Sequence, residues 1–578
     1  MPSLTQKHNL ISGITFGFKA FLFTLKRYFK NEVNRLTKGK NNDQLSDAPI
    51  VSFSESELWN ADDSDSNWIL TAGKIENLRI AAKKLNGIEV KAGTIFSFWK
   101  HIGKPSRLRG FVIGREIREG CIVPTIAGGL CQLSNALYDA ALKAGFEVTE
   151  RHKHTQVIKG SLAEHDRDAT VKWNYVDLRF KPAHDFKIVI DFTPEKLLIQ
   201  FKGYQKAEPL ARQNAAVPVS KLNDCYSCGN VSCFKHPGAV VFNKQKQITT
   251  FILDERWPEY EQYVKSVAAN EDYFIVPFAE NSRIKVDRLT WRVKKSHATS
   301  FAVKALQRAA FIRLASKSNG NIPSVYLKYD SAIINFLKKA VPLKTTHIVI
   351  AQNLLPFAWQ QGILWGRTFD VLMTRLPMET LQQKLDKAHS VYRDSKTLND
   401  FRADKCLIDL ENTALTKSRH IITPHQQIAD IFNNKSIKLN WILPPINSQL
   451  IQKGNKVLFP ASALARKGAY EMKRLAQELD LELVIAGRAL ENDNFWEGLN
   501  VTQAGPDVFN EVKLVILPAY IEHQPRLLLK ALALNIPVIA TSASGLSPAK
   551  NLSIIPEGDY EALKAAVSEV YFTEPVLV

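Results

Sequence analysis

A cysteine close behind two glycines is the first candidate for chemistry in this chain. Gly128 and Gly129 precede Cys131, and apolar residues then recur at helical spacing as far as Gly145. The pattern predicts a helix of about three to four turns with Cys131 in its first turn. There the helix dipole and the unpaired backbone N–H groups favour a thiolate, and the glycines let a substrate or a second strand approach closely.

Two histidines follow this helix. Residues 146–155 alternate in the manner of a strand, so His152 and His154 would project from the same face. A second strand is predicted at residues 170–180, just behind Asp168. In this order the thiolate of Cys131 could attack, an imidazole could move protons and the aspartate could orient the ring. A buried structural cysteine with satisfied histidines is the alternative, and a zinc site of Cys131 with both histidines is another.

A second cluster of sulfur and imidazole ligands lies further along the chain. Cys225, Cys228, Cys233 and His236 place four ligands within twelve residues. This count suits a structural zinc ion with tetrahedral coordination, and an iron–sulfur cluster is a less favoured alternative. A cysteine loop without metal is the simplest alternative. Six cysteines in so long a chain do not indicate a disulfide scaffold.

The last quarter of the chain carries the pattern of a doubly wound parallel α/β domain. Short apolar runs alternate with helical patterns from residue 456 onwards. Strands are predicted at residues 457–460, 481–487, 514–518, 536–541 and 552–556, and helices at 468–479, 525–534 and 559–571. Such sheets bind their ligands beyond the carboxyl ends of the strands.

The loops at those strand ends hold the second set of candidate site residues. Arg466 and Lys467 follow one predicted strand, Gly487 another, and Glu522 and His523 a third. The cations suit a diphosphate, and the carboxylate suits sugar hydroxyls. Solvated surface charges are the alternative for Arg466 and Lys467.

The first forty residues are strongly basic, with eight Lys or Arg against the single acid Glu32. Apolar residues at helical spacing between residues 10 and 30 predict a basic amphipathic helix that could lie on an anionic membrane surface. A helix docked on the protein's own surface is the alternative. The uncharged apolar stretch is too short for a transmembrane span, and no small-residue cleavage site follows it.

Composition indicates several packed domains. The chain has 578 residues, of which 45% are hydrophobic, and its formal net charge is +19. Such a charge fits nucleic acid or an anionic surface. No nucleic-acid-binding signature is present, so an anionic membrane or an anionic glycan is the favoured partner.

Six ordered blocks resemble the VanW family, which is named from vancomycin-resistance clusters. The blocks are residues 77–82, 93–98, 128–138, 150–154, 168–171 and 175–180. The resemblance covers about residues 50–205 and implies a cell-envelope context related to peptidoglycan. Ala127 stands where the family usually has a third glycine before the cysteine.

The second half resembles GT-B glycosyltransferases of the large retaining group. The resemblance is carried by residues 459–468, 483–487, 514–534 and 536–545, with weaker blocks at 407–432 and 442–445. The family pattern implies two glutamates eight residues apart, the first against the donor sugar and the second against the ribose. Here Glu522 occupies the first position and Lys530 the second, and a lysine cannot accept hydrogen bonds from ribose hydroxyls. Either the donor is unusual, or the module has lost ordinary transfer.

The expected whole is a multidomain α/β and α+β protein, with a VanW-like α+β domain before a GT-B-like pair of doubly wound parallel-sheet domains. The expected segments are a basic helix and linker (1–49), a VanW-like domain (50–205), a cysteine-rich knuckle (206–244) and the two GT-B-like halves (245–445 and 446–578). We expect it at the cytoplasmic face of the cell membrane.

The expected function is transfer or binding of sugar from a nucleotide-sugar donor, with an envelope glycan or a lipid-linked precursor as acceptor. One alternative is a thiol-dependent acyl transferase or amidase that acts on peptidoglycan-type peptides through Cys131. The other is a non-catalytic scaffold that binds envelope glycans.

Overall fold

The protein divides into two compact units. The computed structural model describes residues 10–33, 36–59, 65–118, 121–153, 162–173, 175–205, 247–280, 282–283, 286–293, 297–317, 322–399, 402–445 and 454–572. The N-terminal unit comprises Met1–Ile248 with Pro342–Thr346 and Gly362–Arg367. The C-terminal unit comprises Thr249–Val341, His347–Gln361 and Thr368–Val578.

The N-terminal unit mixes helices with antiparallel strands. Its helices are α1 Leu10–Val33, α2 Asp65–Leu85, α3 Phe98–Ile102 and α4 Cys131–Lys143. Its strands are β1 Lys40–Asn41, β2 Ile50–Glu57, β3 Ile88–Val90, β4 Phe96–Ser97, β5 Ile113–Arg118, β6 Cys121–Ile126, β7 Glu147–Glu150, β8 Arg179–Lys181, β9 Phe186–Phe192 and β10 Lys196–Lys202.

These strands form three antiparallel sheets around an aromatic core. The largest sheet has the order β1-β3-β9-β10-β2, a second has the order β4-β8-β7, and β5 pairs with β6. Alternate residues of β10 are buried, as expected for a sheet with one face on the core. The rings of Phe146, Phe180, Phe186 and Phe201 contact one another beneath this sheet. The unit is therefore an α+β domain that holds α4 against a rigid sheet.

The C-terminal unit alternates strands with helices. Its helices are α5 Pro258–Val267, α6 Ala302–Lys317, α7 Ile322–Leu337, α8 Leu355–Gln360, α9 Met378–Val391, α10 Lys405–Lys417, α11 Gln426–Ile431, α12 Ala469–Leu479, α13 Arg526–Ala533 and α14 Tyr560–Phe572. Its strands are β11 Thr249–Ile252, β12 Tyr273–Val276, β13 Phe278–Ala279, β14 Thr290–Trp291, β15 Ala298–Ser300, β16 His347–Ala351, β17 Thr368–Leu372, β18 His420–Thr423, β19 Ser436–Lys438, β20 Lys456–Phe459, β21 Leu483–Ile485, β22 Val501–Gln503, β23 Val512–Leu517, β24 Val538–Thr541 and β25 Leu552–Ile555.

Two parallel sheets organise this unit. The first has the order β15-β12-β11-β16-β17-β18-β19, and the second has the order β22-β21-β20-β23-β24-β25. Every strand pair in both sheets is parallel. The strand order reverses between β11 and β16 in the first sheet and between β20 and β23 in the second. Each reversal opens a crevice at the carboxyl edge of its sheet, where doubly wound proteins bind ligands.

The predicted fold class is confirmed, and most predicted elements of the second sheet lie within two residues of their observed ends. The short strand β22 was not predicted, because its sequence, Val-Thr-Gln, offers too little apolar character. The five predicted segments and their boundaries stay a prediction.

Two strands predicted in the N-terminal unit are shorter than expected. Strand β7 ends at Glu150, so His152 lies in the irregular segment behind the strand. Most of the strand predicted at 170–180 is a turn closed by a bridge between Lys172 and Val176, and only its end belongs to β8. Alternation of residue types was misleading here because buried loops can alternate as well.

No helix in the described part of the chain has both the length and the apolar character needed to cross a membrane.

Candidate functional site

The Cys131 thiol lies at the start of α4, as its spacing from the glycines predicts. Its Sγ atom is 3.6 Å from the hydroxyl oxygen of Thr170 and 3.8 Å from the backbone oxygen of Val171. The side chain is neither fully buried nor fully exposed. The thiol therefore faces the segment 168–171 across the first turn of the helix.

Two polar residues of α4 hold that segment in place. The Ser134 hydroxyl donates to the backbone oxygen of Ala169 at 2.5 Å, and the Asn135 side chain accepts from the Ala169 N–H at 2.7 Å. The Thr170 N–H donates to the backbone oxygen of His152 at 2.9 Å. Sequence reasoning missed Ser134, Asn135 and Thr170 because their partners lie far along the chain. The one signal for Ser134 and Asn135 was that polar residues stand on the buried side of α4.

The predicted triad residues are only partly brought together. The backbone of His152 lies beside Thr170, but its imidazole Nε2 is 3.4 Å from Glu150 Oε1, and its side chain is half-exposed. Asp168 is buried, and its backbone oxygen accepts from Arg151 Nε at 2.7 Å. His154 lies outside the described residues. The catalytic roles of Cys131, His152, His154 and Asp168 stay predictions.

A buried ionic cluster lies beside His152. The Nη1 and Nη2 groups of Arg27 donate to the Glu150 carboxylate, at 2.6 and 2.5 Å. This contact anchors α1 to the unit. Arg179 Nε lies 2.8 Å from the Asp177 carboxylate and 3.5 Å from that of Glu150. Burial alone would raise the pKa of Glu150, but the two guanidinium groups outweigh it and lower the pKa. Burial raises the pKa of Asp177.

The helix α1 is docked on the protein's own surface, and its contact with a membrane stays a prediction. Arg27 docks it on the protein's own surface, and the ring of Phe23 lies 6.4 Å from that of Tyr175. Large apolar side chains nevertheless face solvent along the same helix: Phe18, Phe21, Leu22, Phe23, Leu25, Tyr28 and Phe29.

The second candidate site lies at the strand-order reversal of the six-stranded sheet. The backbone oxygen of Arg466, behind β20, accepts from the N–H groups of Tyr520 and Ile521, behind β23, at 3.0 and 3.1 Å. This main-chain contact brings Lys467 close to Glu522. The Nζ atom of Lys467 lies 2.9 Å from the Oε2 atom of Glu522. Both side chains are mostly buried. The two neighbouring loops therefore place opposite charges at the mouth of the crevice.

The Glu522 carboxylate is held in its ionised form. Its Oε1 atom accepts from the N–H groups of His523 and Gln524, at 2.8 Å each. Burial alone would raise the pKa of Glu522, but Lys467 and these two donors outweigh it, so the pKa lies below its usual value. A fixed carboxylate at this position can accept hydrogen bonds from ligand hydroxyl groups.

His523 supplies an unused polar atom among cations. Its Nε2 is buried and has no hydrogen-bond partner in the described part of the chain. Burial, together with the positive charges of Lys467, Arg375 and Arg466, lowers the pKa of His523 well below its ordinary value. The imidazole is therefore neutral at pH 7, and Nε2–H could donate to an anionic ligand.

Other predicted residues of this site have identified contacts. Gly487 allows close packing, since a Cβ there would lie 2.3 Å from the backbone nitrogen of Ser462. Arg466 places Nη1 3.5 Å from the backbone oxygen of Thr397. Lys530 is exposed, with Nζ 5.6 Å from the centre of the Phe509 ring. The ligand roles of Arg466, Lys467, Gly487, Glu522 and His523 stay predictions.

Sequence reasoning missed His425, which supports the Glu522 loop from the first half of the unit. Its Nε2 atom lies 3.0 Å from the backbone oxygen of Glu522 and 3.2 Å from that of Ala543. Its ring fills the space beside Gly545, where a Cβ would lie 2.2 Å away. Glycine at 545 is therefore required by this contact.

The predicted metal ligands Cys225, Cys228, Cys233 and His236 lie outside the described residues, so this site stays a prediction. Within the described ranges, no three His, Cys, Asp or Glu side chains meet in an arrangement that could hold a metal ion.

Comparison with protein families identifies two domains. The parallel sheet with its reversed strand order defines a doubly wound α/β domain. Residues 73–204 match the family described as VanW like protein, and residues 455–572 match the family described as Glycosyl transferases group 1. The chain therefore joins a VanW-like domain to a group 1 glycosyltransferase domain. The predicted resemblances and the enzyme class are confirmed at the level of these domain families.

Two curated relatives match part of the chain. The uncharacterized protein YoaR of Bacillus subtilis (strain 168) is 31% identical over 114 residues, which are 20% of this chain and 37% of YoaR. The vancomycin B-type resistance protein VanW of Enterococcus faecalis (strain ATCC 700802 / V583) is 29% identical over 143 residues, 23% of this chain and 50% of VanW. The chain thus spans half or less of either relative.

Solved structures share only a distant likeness with the chain. A sucrose-phosphate synthase from Thermosynechococcus elongatus is 15% identical and covers 56% of this chain and 90% of its own, with a TM-score of 0.34. The lipopolysaccharide outer core galactosyltransferase WaaB is 12% identical, with a TM-score of 0.32. The match covers 57% of this chain and 90% of WaaB. These scores are too low to support conclusions about ligands.

Proposed function

We propose that this chain transfers a sugar from a nucleotide-sugar donor that binds where the strand order of the six-stranded sheet reverses. The observation that carries the proposal is the Lys467–Glu522 pair, with Nζ and Oε2 2.9 Å apart between the loops behind β20 and β23. A doubly wound sheet binds nucleotides at such a reversal. The family match over residues 455–572 supports the same reaction class.

The charges of the crevice suit a sugar diphosphate. Lys467 would exchange its contact with Glu522 for the diphosphate, and Nε2 of His523 would donate to a phosphate oxygen. The backbone N–H groups of His523 and Gln524 would keep the Glu522 carboxylate in position to accept from sugar hydroxyls. The anomeric carbon of the sugar would form its new bond to a hydroxyl oxygen of the acceptor as its bond to the diphosphate breaks, and the hydroxyl proton would pass to the leaving phosphate. The cations would stabilise the negative charge that builds on this phosphate.

The position of Lys530 restricts how the ribose would be held. A carboxylate at this position could accept two hydroxyl hydrogen bonds, whereas the exposed ammonium of Lys530 contacts the Phe509 ring. We therefore propose that donor affinity comes mainly from the diphosphate and the sugar.

We further propose that the acceptor is an envelope glycan or a lipid-linked precursor at the cytoplasmic face of the cell membrane. The VanW-like domain supports an envelope context, because one relative is a vancomycin resistance protein. The exposed aromatic side chains of α1 support contact with an anionic membrane surface.

The test is turnover of nucleotide sugars by the full-length protein. We expect at least one donor in a panel of uridine, guanosine and adenosine diphosphate sugars to release nucleoside diphosphate. The Glu522→Gln variant should lower this rate roughly 100-fold, the order seen on removing one preorganised hydrogen-bonding group. Glu511→Gln is the matched control, because Glu511 pairs with Lys456 at the opposite edge of the sheet.

Three results of this test would each change the proposal. Equal rates for Glu522→Gln and the wild type would remove Glu522 from the reaction. No turnover of any donor by the folded wild type would reject the transferase proposal. Nucleotide-sugar binding without turnover would favour the non-catalytic scaffold.

A further inference from the structure

The helix α6, Ala302–Lys317, buries an arginine while it leaves large apolar side chains exposed, which is unusual for a surface helix. Its buried side carries Arg308, whose guanidinium donates to the Asp254 carboxylate at 2.8 and 2.5 Å and to the Asp330 carboxylate at 2.5 Å. Arg308 is only 6% exposed. This ionic contact fixes the rotation of α6 on the unit, so its outward face is set by the fold.

The outward face of α6 carries four large apolar side chains, with the polar side chain of Gln307 among them. Val303 is 68% exposed, Leu306 37%, Phe311 49% and Leu314 60%. At 3.6 residues per turn, these four side chains and Ala310 fall within an arc of about 140°. Singly exposed apolar side chains are ordinary on a protein surface, but an aligned stripe along one helix marks an interaction surface.

The sequence around this stripe is rich in cations, of which Arg308 and Arg288 are paired with carboxylates. Lys304 and Arg313 lie at its two edges by helical geometry. From Arg288 to Tyr329 the chain has nine Lys or Arg and no Asp or Glu. Apolar side chains between flanking cations match the boundary between acyl chains and anionic headgroups of a bilayer.

We propose that α6 is a membrane-docking surface of the C-terminal unit, distinct from α1, and that its partner is a bilayer rich in anionic lipid. The stripe of Val303, Leu306, Phe311 and Leu314 enters the boundary of the acyl chains, and the flanking cations contact lipid phosphates. This surface does not depend on sugar transfer at Glu522. It would hold the glycosyltransferase domain at the surface where a lipid-linked acceptor resides.

The experiment is cosedimentation of the full-length protein with vesicles. The vesicles contain phosphatidylglycerol and phosphatidylcholine in equal parts, or phosphatidylcholine alone. We expect the double variant Val303→Ser, Phe311→Ser to lower the partition coefficient on anionic vesicles at least about tenfold. The matched control is Val391→Ser, Phe572→Ser, which alters two side chains of the same unit that are 60% and 58% exposed. This control should bind as the wild type does.

Because α1 is a second candidate, the same comparison is made in a Phe18→Ser, Phe21→Ser background. These α1 residues are 62% and 61% exposed. If α6 docks independently, the α6 changes reduce binding by the same factor in both backgrounds. If the α6 changes have no effect in either background, α1 alone accounts for binding and the proposal is wrong.

The electrostatic part is tested with Lys304→Gln, Arg313→Gln against Arg393→Gln, Lys405→Gln as a charge-matched control. Each lost cation at the surface should weaken binding to anionic vesicles about fivefold. Equal losses for both pairs would show an effect of net charge alone and would overturn the proposal. Absence of vesicle binding by the wild type, or self-association that the Val303→Ser, Phe311→Ser change abolishes, would also overturn it, the latter in favour of a second copy of the chain.

Discussion

Gly128 and Gly114 approach each other so closely that neither position has room for a Cβ. A Cβ on Gly128 would lie 2.5 Å from the backbone oxygen of Gly114, and a Cβ on Gly114 would lie 2.5 Å from that of Gly128. The Asn77 amide donates to the Gly128 oxygen at 3.1 Å and strengthens the contact. The predicted close approach before Cys131 is therefore made by strand β5, and it fixes where α4 begins.

We predict that two neighbouring substitutions differ in their effect on the free energy of unfolding. Gly128→Ala should lower the free energy of unfolding by about 1–3 kcal/mol, because the added methyl has to displace backbone atoms. Ala127→Gly should be nearly neutral. Ala127 has φ 62°, so the change relieves about 1 kcal/mol of strain, and this gain offsets the lost burial of a methyl group. Urea unfolding of both variants checks the pair. An unchanged midpoint for Gly128→Ala would contradict the reasoning.

At the scale of single residues, the position of a side chain along a helix was predictable, but its contacts were not. The position of Cys131 in the first turn of α4 followed from helical spacing and the glycine pair. The direction of the His152 imidazole could not follow from spacing, because it is set by Glu150 and Arg27. Those two residues are 123 positions apart. Local patterns contain no information about such a pair.

At the scale of elements, α13 is tied to the first half of its unit by one buried ion pair. Arg526 is the first residue of α13. Its Nη1 and Nη2 groups each donate a hydrogen bond to the Glu259 carboxylate on α5, at 2.8 Å. The guanidinium lies 5.3 and 5.4 Å from the ring centres of Trp257 and Trp441. Glu259 is only 2% exposed, and the pair links the helix that follows the Glu522 loop to the first sheet.

We predict that Arg526→Met lowers the free energy of unfolding of this unit by about 3 kcal/mol, because Glu259 remains buried without its cation. Arg526→Lys should be intermediate, since an ammonium supplies neither the bidentate contact nor the flat stacking surface. The control is Arg288→Met, which breaks a similar bidentate contact to Glu255 at the surface and should cost less than about 1 kcal/mol.

A double-mutant cycle completes the measurement. Combining Arg526→Met with Glu259→Gln removes both charges and should recover most of the loss. Additive losses in urea unfolding would mean that the pair does not hold the two elements together.

Elements were predictable where the apolar pattern was strong. The buried strands and the amphipathic helices of the six-stranded sheet follow from periodicity, since each has a continuous apolar core. Two strands around His152 and residue 170 were misplaced, because their segments are held by polar contacts to α4 and α1. The Glu259–Arg526 contact was not predictable, because 267 positions separate its partners.

At the scale of the whole molecule, two domain families are joined in one chain. The VanW-like match ends at residue 204 and the glycosyltransferase match begins at 455. The first parallel sheet lies between these matches, and its strand order reverses as in a doubly wound domain. Motif recognition found the two families. It gave little on the middle of the chain, where the resemblance rested only on the weaker blocks at residues 407–432 and 442–445.

The central claim is that a nucleoside diphosphate binds at the Lys467–Glu522 crevice, and calorimetric titration of the full-length protein tests it directly. Uridine, guanosine and adenosine diphosphate are titrated in turn into wild type, Lys467→Ala and Lys456→Ala. Lys456 begins the same strand, β20, at its opposite end and pairs with Glu511, so it is the matched control.

We predict that one nucleotide binds the wild type and Lys456→Ala with equal affinity, and that Lys467→Ala weakens its binding at least about tenfold, the worth of one charged hydrogen bond. Unchanged affinity in Lys467→Ala, or no binding of any of the three nucleotides to folded wild type, would contradict the claim.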